Sequence, residues 1–311
     1  MNRIITVNSA IPTLEDGTVL IEQCLLFSTN DPLILSTLLT CISGLFIFLK
    51  MLPRALPEIL NKIFATLTLN LPGQTKETRS RAVKNARKHA ASMLCSLARA
   101  QPQILMEAFE FIDEVYGKLC EGDISQLERC TVSEALMLIN NNFCDYKRQS
   151  AYLEKLLLHT NTQWLDMKEA FSSASTYMSF IGLNTPPVEP SDNDICGKNR
   201  SKILAFLNST SAVLKRSVVP EDTNKAESGG FFVDGRANFR NPASPHVLPL
   251  FHQLFCFIKV NCELWQPECI SLLSEGYQKA YHLPERDRIN IMGFSMQKLD
   301  DPCIENHKVS N

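Results

Sequence analysis

The chain has 311 residues, of which 45% are hydrophobic, and a formal net charge of −2 at pH 7. Eleven cysteines occur singly, without a C-x-x-C pair, which excludes the framework of a small disulfide-rich domain and indicates reduced, buried, intracellular thiols. Glycine is scarce, and the long segments rich in Leu, Ala, Lys, Glu and Ile favour a nearly all-α protein with a sizeable core.

Proline marks many of the predicted helix starts, because its fixed φ suits the first turn of a helix. Five prolines each precede an apolar periodic segment: Pro32, Pro57, Pro102, Pro267 and Pro284. The predicted helices cover roughly residues 31–49, 55–70, 76–99, 102–119, 124–143, 146–160, 163–182, 198–219, 246–264 and 267–282. A shorter apolar segment before them, Leu20 to Phe27, is expected to form the first helix.

The first long predicted helix is strongly apolar. Asp31 is a plausible N-cap, and the 18 residues that follow, Pro32 to Leu49, carry no charge. A run of this length approaches that of a membrane span. A helix buried between two neighbours shows the same pattern, and the hydroxyl groups inside the run favour it. On these residues alone both interpretations remain open.

Positive charge is concentrated between Gln74 and Ala100, where seven Lys or Arg stand against one Glu. At 100° per residue the basic residues Arg81, Lys84, Arg87 and Lys88 fall on one arc, opposite an apolar arc. We therefore expect a packed helix with a cationic outer face. Such a face is typical of an ordinary solvated surface, a nuclear-import patch or a phosphate-binding surface.

Helix spacing predicts the architecture. Taken in pairs, the helices begin near residues 31, 76, 124 and 163, which is the period of HEAT or armadillo repeats. We expect one solenoid block over residues 1–311, with about five to six helix hairpins and long inserts near 183–197 and 220–245. A globular helical bundle is the alternative. Within the second insert, the Asp-Gly turn of Gly230 to Gly235 indicates a small hairpin.

Two further local patterns concern helix starts and chemistry. Asp123 with Gln126 three residues later resembles a capping box. The sequence contains no dinucleotide, Walker, zinc-protease or nucleophile-elbow motif, and its six histidines lack metal-ligand spacing. We therefore predict no enzyme, no catalytic residue, no metal and no cofactor.

Several strings resemble successive helices of the exportin-5 family. They are DPLILS at 31–36, RAVKN at 81–85, RKHA at 87–90, EAL at 134–136, LI at 138–139, GKNR at 197–200, VLKR at 213–216, GGF at 229–231 and FRNP at 239–242. They keep the family's order over nearly the whole chain. The resemblance implies a HEAT-repeat α-solenoid of the karyopherin-β type and a buried helix, rather than a membrane span, at 32–49.

The resemblance also implies partners. The family consists of nuclear export receptors that shuttle between nucleus and cytoplasm through nuclear pore proteins. They bind Ran in its GTP form and carry double-stranded RNA hairpins with a 3′ overhang, notably microRNA precursors. This chain resembles a central block of such a receptor, so the repeats that mainly grip Ran are expected upstream of residue 1.

Within the family a basic tunnel receives the overhang. The resemblance assigns Lys88 and Ser92 to one helix of this tunnel, Gln126 and Arg129 to a second, and Arg200 to the start of a third. Lys88 stands where the family usually has arginine, and therefore lacks the planar fork that binds phosphate bidentately. An alternative role for Gln126 is to cap its own helix.

The sequence thus predicts the RNA-binding part of an exportin-5-like receptor. The candidate RNA-binding residues are Arg81, Lys84, Arg87, Lys88, Ser92, Gln126, Arg129 and Arg200. A helical scaffold that binds protein surfaces and no RNA is the alternative. Salt-dependent hairpin binding separates the two, because only phosphate contacts release counterions.

Overall fold

The computed structural model describes residues 14–75, 78–188, 193–232 and 239–281. Across these ranges the protein is helical, and its extended pairing is limited to one isolated antiparallel bridge between Phe232 and Phe239. The predicted all-α, HEAT-type fold class is confirmed.

The helices of the described residues follow in chain order. They are α1 (Leu14–Leu26), α2 (Pro32–Gly44), α3 (Leu56–Leu67), α4 (Arg81–Ala100), α5 (Pro102–Glu107), α6 (Phe109–Glu121), α7 (Gln126–Asn141), α8 (Tyr146–Asp166), α9 (Ala174–Ile181), α10 (Ile195–Arg216), α11 (Thr223–Ser228), α12 (Ser244–Val247), α13 (Phe251–Glu263), α14 (Pro267–Ser271) and α15 (Glu275–Tyr281). Short 3₁₀ helices lie at Phe46–Lys50, Pro53–Ala55, Lys168–Phe171 and Leu248–Leu250.

The apolar run after Asp31 is interrupted. The Asp31 carboxylate accepts hydrogen bonds from the amides of Leu33 and Ile34, at 2.8 and 3.1 Å, so the predicted N-cap is confirmed. Helix α2 stops at Gly44 and a 3₁₀ helix follows, so the run does not form one continuous helix. None of the helices in the described ranges has the length and apolar character needed to span a membrane.

Proline starts several helices as predicted. Pro32, Pro102 and Pro267 are first residues of α2, α5 and α14, and Pro57 is the second residue of α3. Pro284 lies outside the described residues. The helix predicted over 102–119 is divided into α5 and α6, and the one predicted over 163–182 is divided among the end of α8, a 3₁₀ helix and α9.

The capping box of α7 differs from the prediction. Ser125, not Asp123, is the N-cap, and its partner is Glu128. The Ser125 hydroxyl accepts from the Glu128 amide at 3.2 Å, and the Glu128 carboxylate accepts from the Ser125 amide at 2.7 Å. Both backbone donors are thereby satisfied, so the proposed pair of Asp123 and Gln126 is wrong.

The chain divides into two compact units. The first comprises residues 1–159 and 205–249, and the second comprises residues 160–204 and 250–311. In the first unit α4 packs against α2, α3 and α7, with Ala90, Leu94 and Leu97 fully buried in the shared core. In the second unit the fully buried Trp164 packs against Phe171 and Phe257. A single continuous solenoid over residues 1–311 stays a prediction.

The second long insert contains ordered structure. Residues 220–245 include α11, and the buried Phe231 stacks edge-to-face on Tyr146 with ring centroids 5.8 Å apart. The Asp-Gly turn of the predicted hairpin lies outside the described residues. Of the first insert, residues 189–192 also lie outside them, and α10 begins at Ile195.

Candidate nucleic-acid interface

Helix α4 is the element that presents the candidate cations. The Ser80 hydroxyl caps its start by accepting a hydrogen bond from the Val83 amide at 3.3 Å. Its apolar side packs into the core of the first unit, and its other side faces solvent. The helix contains no aspartate or glutamate along its 20 residues.

Four of the predicted residues share the solvent side of α4. Arg81, Lys84, Lys88 and Ser92 are all exposed, and we call this set the basic ridge. Among the described residues, no carboxylate forms an ion pair with Arg81 or Lys88. The exposed cationic surface predicted for this helix is therefore present, although its membership differs from the predicted arc.

Arg87 is not part of the basic ridge. Its side chain is only 2% exposed and pairs with Glu128, whose side chain is 6% exposed. The Arg87 Nε and Nη2 atoms donate to the two carboxylate oxygens at 2.9 and 3.1 Å. Nη1 donates to the Leu69 carbonyl at 3.2 Å, and Nη2 also donates to the Asp123 carbonyl at 2.7 Å.

The prediction that Arg87 lies on the exposed cationic face is therefore wrong. Arg87 lies between the fully buried Ala86 and the exposed Lys88, each about 100° away around the helix axis. It therefore lies at the border between the buried and the exposed sides of α4. The nearby carboxylate of α7 draws it inward, where its donors are occupied by protein acceptors. A guanidinium buried and bound in this way offers no surface to a phosphate.

The pKa of Glu128 shows that the pair is ionic in the folded protein. Burial alone would raise its pKa, but hydrogen bonds from Arg87 and from the Ser125 amide outweigh burial and lower the pKa below its ordinary value. Glu128 therefore stays ionised in the folded protein at neutral pH. Its negative charge is compensated by Arg87.

The flanks of the basic ridge are also poor in negative charge. Helix α2 lies on one side, where the Ser36 hydroxyl is 2.7 Å from Nδ1 of His89, and no acidic residue occurs between Asp31 and Glu58. Helix α7 lies on the other side, where the Cys95 thiol donates to the Thr131 carbonyl at 3.1 Å. The cations therefore face solvent in a locally positive setting.

Gln126 and Arg129 lie on α7, and both are half-buried. The Gln126 amide donates to the Cys130 thiol at 3.4 Å. Since Ser125 caps α7, the alternative role of Gln126 as the cap is wrong. Arg129 turns toward α6, where Nη2 donates to the Cys120 carbonyl at 2.9 Å. Although they are three residues apart, the two side chains contact different neighbours.

Arg200 belongs to the second unit, on α10. Its Nη1 atom donates to the Ile181 carbonyl at 2.6 Å, and Nη2 lies 3.2 Å from Oδ2 of Asp194. The cation is therefore partly neutralised within its own unit. Of the eight candidates, the structure brings four together on α4, places two on the adjacent α7 and buries one. Arg99, also exposed on α4, is absent from the predicted set, although the same spacing of 100° per residue places it on the side of Arg81 and Lys88.

Comparison with known proteins agrees with the resemblance that was based on short sequence segments. The family model described as Exportin-5 matches residues 4–311. The chain belongs to the exportin-5 family. This membership confirms the predicted family over nearly the whole sequence.

Individual members of the exportin-5 family show the extent of the match. The chain is 32% identical over 308 residues to Exportin-5 of Homo sapiens, covering 96% of this chain and 25% of the relative. The corresponding values for Exportin-5 of Mus musculus are 32% over 300 residues, 94% and 24%. Protein HASTY 1 of Arabidopsis thaliana is 21% identical over 284 residues, covering 90% and 22%. The chain thus spans about a quarter of the length of the curated relatives it matches.

Proposed function

We propose that this chain is the RNA cargo-binding part of an exportin-5-like nuclear export receptor. The cargo is a double-stranded RNA hairpin with a 3′ overhang, such as a microRNA precursor. In the full-length protein, Ran in its GTP form and nuclear pore proteins complete the transport cycle, and the receptor shuttles between nucleus and cytoplasm. Membership of the exportin-5 family supports this assignment.

The basic ridge is the observation that carries the proposal. Arg81 and Lys88 have no carboxylate partner among the described residues, and α4 contributes no acidic residue of its own. Exposed cations of this kind replace the counterions condensed on a nucleic acid, and the released ions drive binding. The hydroxyl of Ser92, one turn after Lys88, adds a neutral hydrogen-bonding group beside the cation.

A smaller group is proposed to select the overhang. Lys88, Ser92, Gln126 and Arg129 lie on the neighbouring helices α4 and α7 of the first unit, and the role predicted for Arg200 stays a separate prediction. Lys88 supplies a compact charge, and the Gln126 amide can donate to and accept from a nucleotide. Arg129 uses one terminal nitrogen for the Cys120 carbonyl, so its contribution is expected to be weaker than that of Lys88.

The proposal is tested by equilibrium binding of the chain to two labelled hairpins that differ only in a two-nucleotide 3′ overhang. We expect tighter binding of the overhanging hairpin. Combined replacement of Lys88, Gln126 and Arg129 by alanine is expected to narrow this difference, because these groups contact the protruding end. Equal loss of affinity for both hairpins would contradict the overhang assignment.

A protein-interaction scaffold is the second candidate, and a specific observation favours it. Phe251, Phe255, Ile258 and Trp265 are exposed large apolar residues at helical spacing along and just after α13. Such a row is typical of a surface that another protein element covers. A folded chain that fails to bind either hairpin at low salt would replace the RNA-binding proposal with this one.

A further inference from the structure

Arg99 extends the basic ridge to the far end of α4. At 100° per residue, Arg81, Lys88, Ser92 and Arg99 fall within about 40° of one another around the helix axis. All four are exposed. At 1.5 Å per residue, the distance along the axis from Arg81 to Arg99 is about 27 Å. The cationic side therefore runs the whole length of the helix.

The surroundings leave the charge of Arg99 uncompensated. No ion pair joins Arg99 to a carboxylate in the part of the chain that the structure describes. On the adjacent α7, Glu128 is bound by Arg87, and Glu134 is bound by Arg216 at 2.8 Å. Both carboxylates that α7 contributes are thus occupied by other arginines.

Cys95, one turn before Arg99, lies on the side of α4 that contacts α7. Burial, together with the charge of Glu134, raises the pKa of Cys95 to about 11, while Arg99 and Arg216 act in the opposite direction. Both guanidinium groups therefore lie within electrostatic range of this thiol. The same thiol donates to the Thr131 carbonyl of α7, so Arg99 lies about one helical turn beyond a contact between α4 and α7.

The helix surface between Lys88 and Arg99 is recessed. Its exposed positions carry the short side chains of Ser92 and Ser96. The Ser96 hydroxyl donates back to the Ser92 carbonyl at 3.2 Å, so it lies against the helix. A polyanion running along α4 would therefore meet only short side chains at the exposed α4 positions between the two cations.

We propose that Arg99 is a further RNA-binding residue, which binds a backbone phosphate distant from those bound by Arg81 and Lys84. This inference rests on the proposed function. The guanidinium group can bind a phosphate through two parallel hydrogen bonds, which a lysine cannot do. At about 3.4 Å of axial advance per phosphate, the ridge corresponds to on the order of eight nucleotides of one strand.

If Arg99 had only a structural role, its replacement would change the stability of α4 and leave the salt dependence of RNA binding unchanged. A cation in the last turn of a helix interacts favourably with the helix dipole, independently of any ligand. Arg99→Gln removes the charge, Arg99→Lys keeps it, and Arg54→Gln is the matched control. Arg54 is an exposed arginine of the same unit, 79% exposed at its side chain, but Glu22 pairs with it at 2.9 Å.

The experiment measures the affinity of the full chain for the overhanging hairpin across a series of salt concentrations. We expect Arg99→Gln to weaken binding and to reduce the slope of log affinity against log salt by about 0.7 to 0.9, the contribution of one phosphate contact. Arg99→Lys should keep the slope while losing part of the affinity. Arg54→Gln should leave both unchanged, and hydrogen exchange should show α4 folded in every variant.

Three results would overturn the inference. If Arg99→Gln keeps the wild-type slope while combined replacement of Arg81 and Lys84 lowers it, Arg99 does not contact RNA and the proposed function stands. If the slope also survives replacement of Arg81 and Lys84, the proposed function falls as well. An equal effect of Arg54→Gln would show a response to net charge alone and would also remove Arg99 from the site.

Discussion

The buried ion pair between α4 and α7 yields a quantitative prediction. Arg87→Met removes a guanidinium that makes four hydrogen bonds and leaves the Glu128 carboxylate buried with only the Ser125 amide. Breaking a buried pair by removing one partner costs about 3 to 5 kcal/mol. We therefore expect Arg87→Met to destabilise the first unit by about that amount.

A second variant separates the ion pair from general damage to the core. Arg87→Met combined with Glu128→Leu removes both charges, and pairs replaced by apolar residues are often neutral in stability. The double variant still loses half of the capping box, the hydrogen bond from the Ser125 amide to the carboxylate, so we expect a residual cost of about 0.5 to 1.5 kcal/mol. It should therefore be more stable than the single variant.

Native-state hydrogen exchange of the α4 and α7 amides measures both variants locally. A loss of 3 to 5 kcal/mol corresponds to exchange faster by roughly 140-fold to 3,700-fold, at about tenfold per 1.4 kcal/mol. Acceleration of less than about tenfold in Arg87→Met would refute the buried pair. So would a double variant that is less stable than the single one.

The pH dependence has a definite sign. The folded-state pKa of Glu128 is lowered from its ordinary value of 4.5, so the pair's stabilisation is fully present above that value. It is lost as the pH falls through the lowered pKa. The stability difference between the wild type and Glu128→Gln should therefore shrink below pH 4.5. A difference that stays constant down to pH 2 would contradict this origin.

Three further predictions concern local structure. Burial raises the pKa of the Cys95 thiol to about 11, so Cys95 should react with iodoacetamide at pH 8 far more slowly than the exposed Cys41. Equal reaction rates, measured by peptide mass analysis, would contradict the burial of Cys95. Ser80→Ala should destabilise the first turn of α4 by about 1 kcal/mol in hydrogen exchange, whereas Ser80→Gly should cost only a few tenths. Gly182→Ala should destabilise the second unit, because the φ of Gly182 is +77° and the added Cβ would lie 2.8 Å from Cβ of Cys196. Unfolding followed by tryptophan fluorescence measures this, and an unchanged unfolding midpoint would refute it.

The helical class and most helix starts follow from local chemistry. Asp31 caps α2, and proline occupies the first turn of four helices, because these effects depend only on residues close in sequence. Breaks within helices were harder to predict. The division of residues 102–119 into α5 and α6 occurs at Ala108, where neither glycine nor proline marks it.

The candidate site shows where helical periodicity fails. Arg81 and Lys88 were correctly placed on an exposed face, because they lie near the centre of the polar arc. Arg87 lies at its border, and only the position of Glu128, 41 residues away, decides that it points inward. A long-range partner of this kind leaves no signal in the local spacing. The capping box was misplaced by two residues, because Asp123, Ser125, Gln126 and Glu128 offer competing pairs with the same spacing.

The central claim is that exposed cations of α4 bind RNA phosphate, and the salt dependence of hairpin binding tests it most directly. The measurement compares the wild type with Arg81→Ala/Lys84→Ala and with Arg54→Ala/Lys118→Ala. The control pair carries the same charge change on exposed cations of the same unit, which form ion pairs with Glu22 and Glu114.

We predict that replacement of Arg81 and Lys84 lowers the slope of log affinity against log salt by about 1.4 to 1.8, at 0.7 to 0.9 per phosphate contact. The control pair should leave the slope within about 0.3 of the wild type. If the first pair left this slope unchanged, or if both pairs lowered it equally, the account would be contradicted. This side of α4 would then be an ordinary solvated surface.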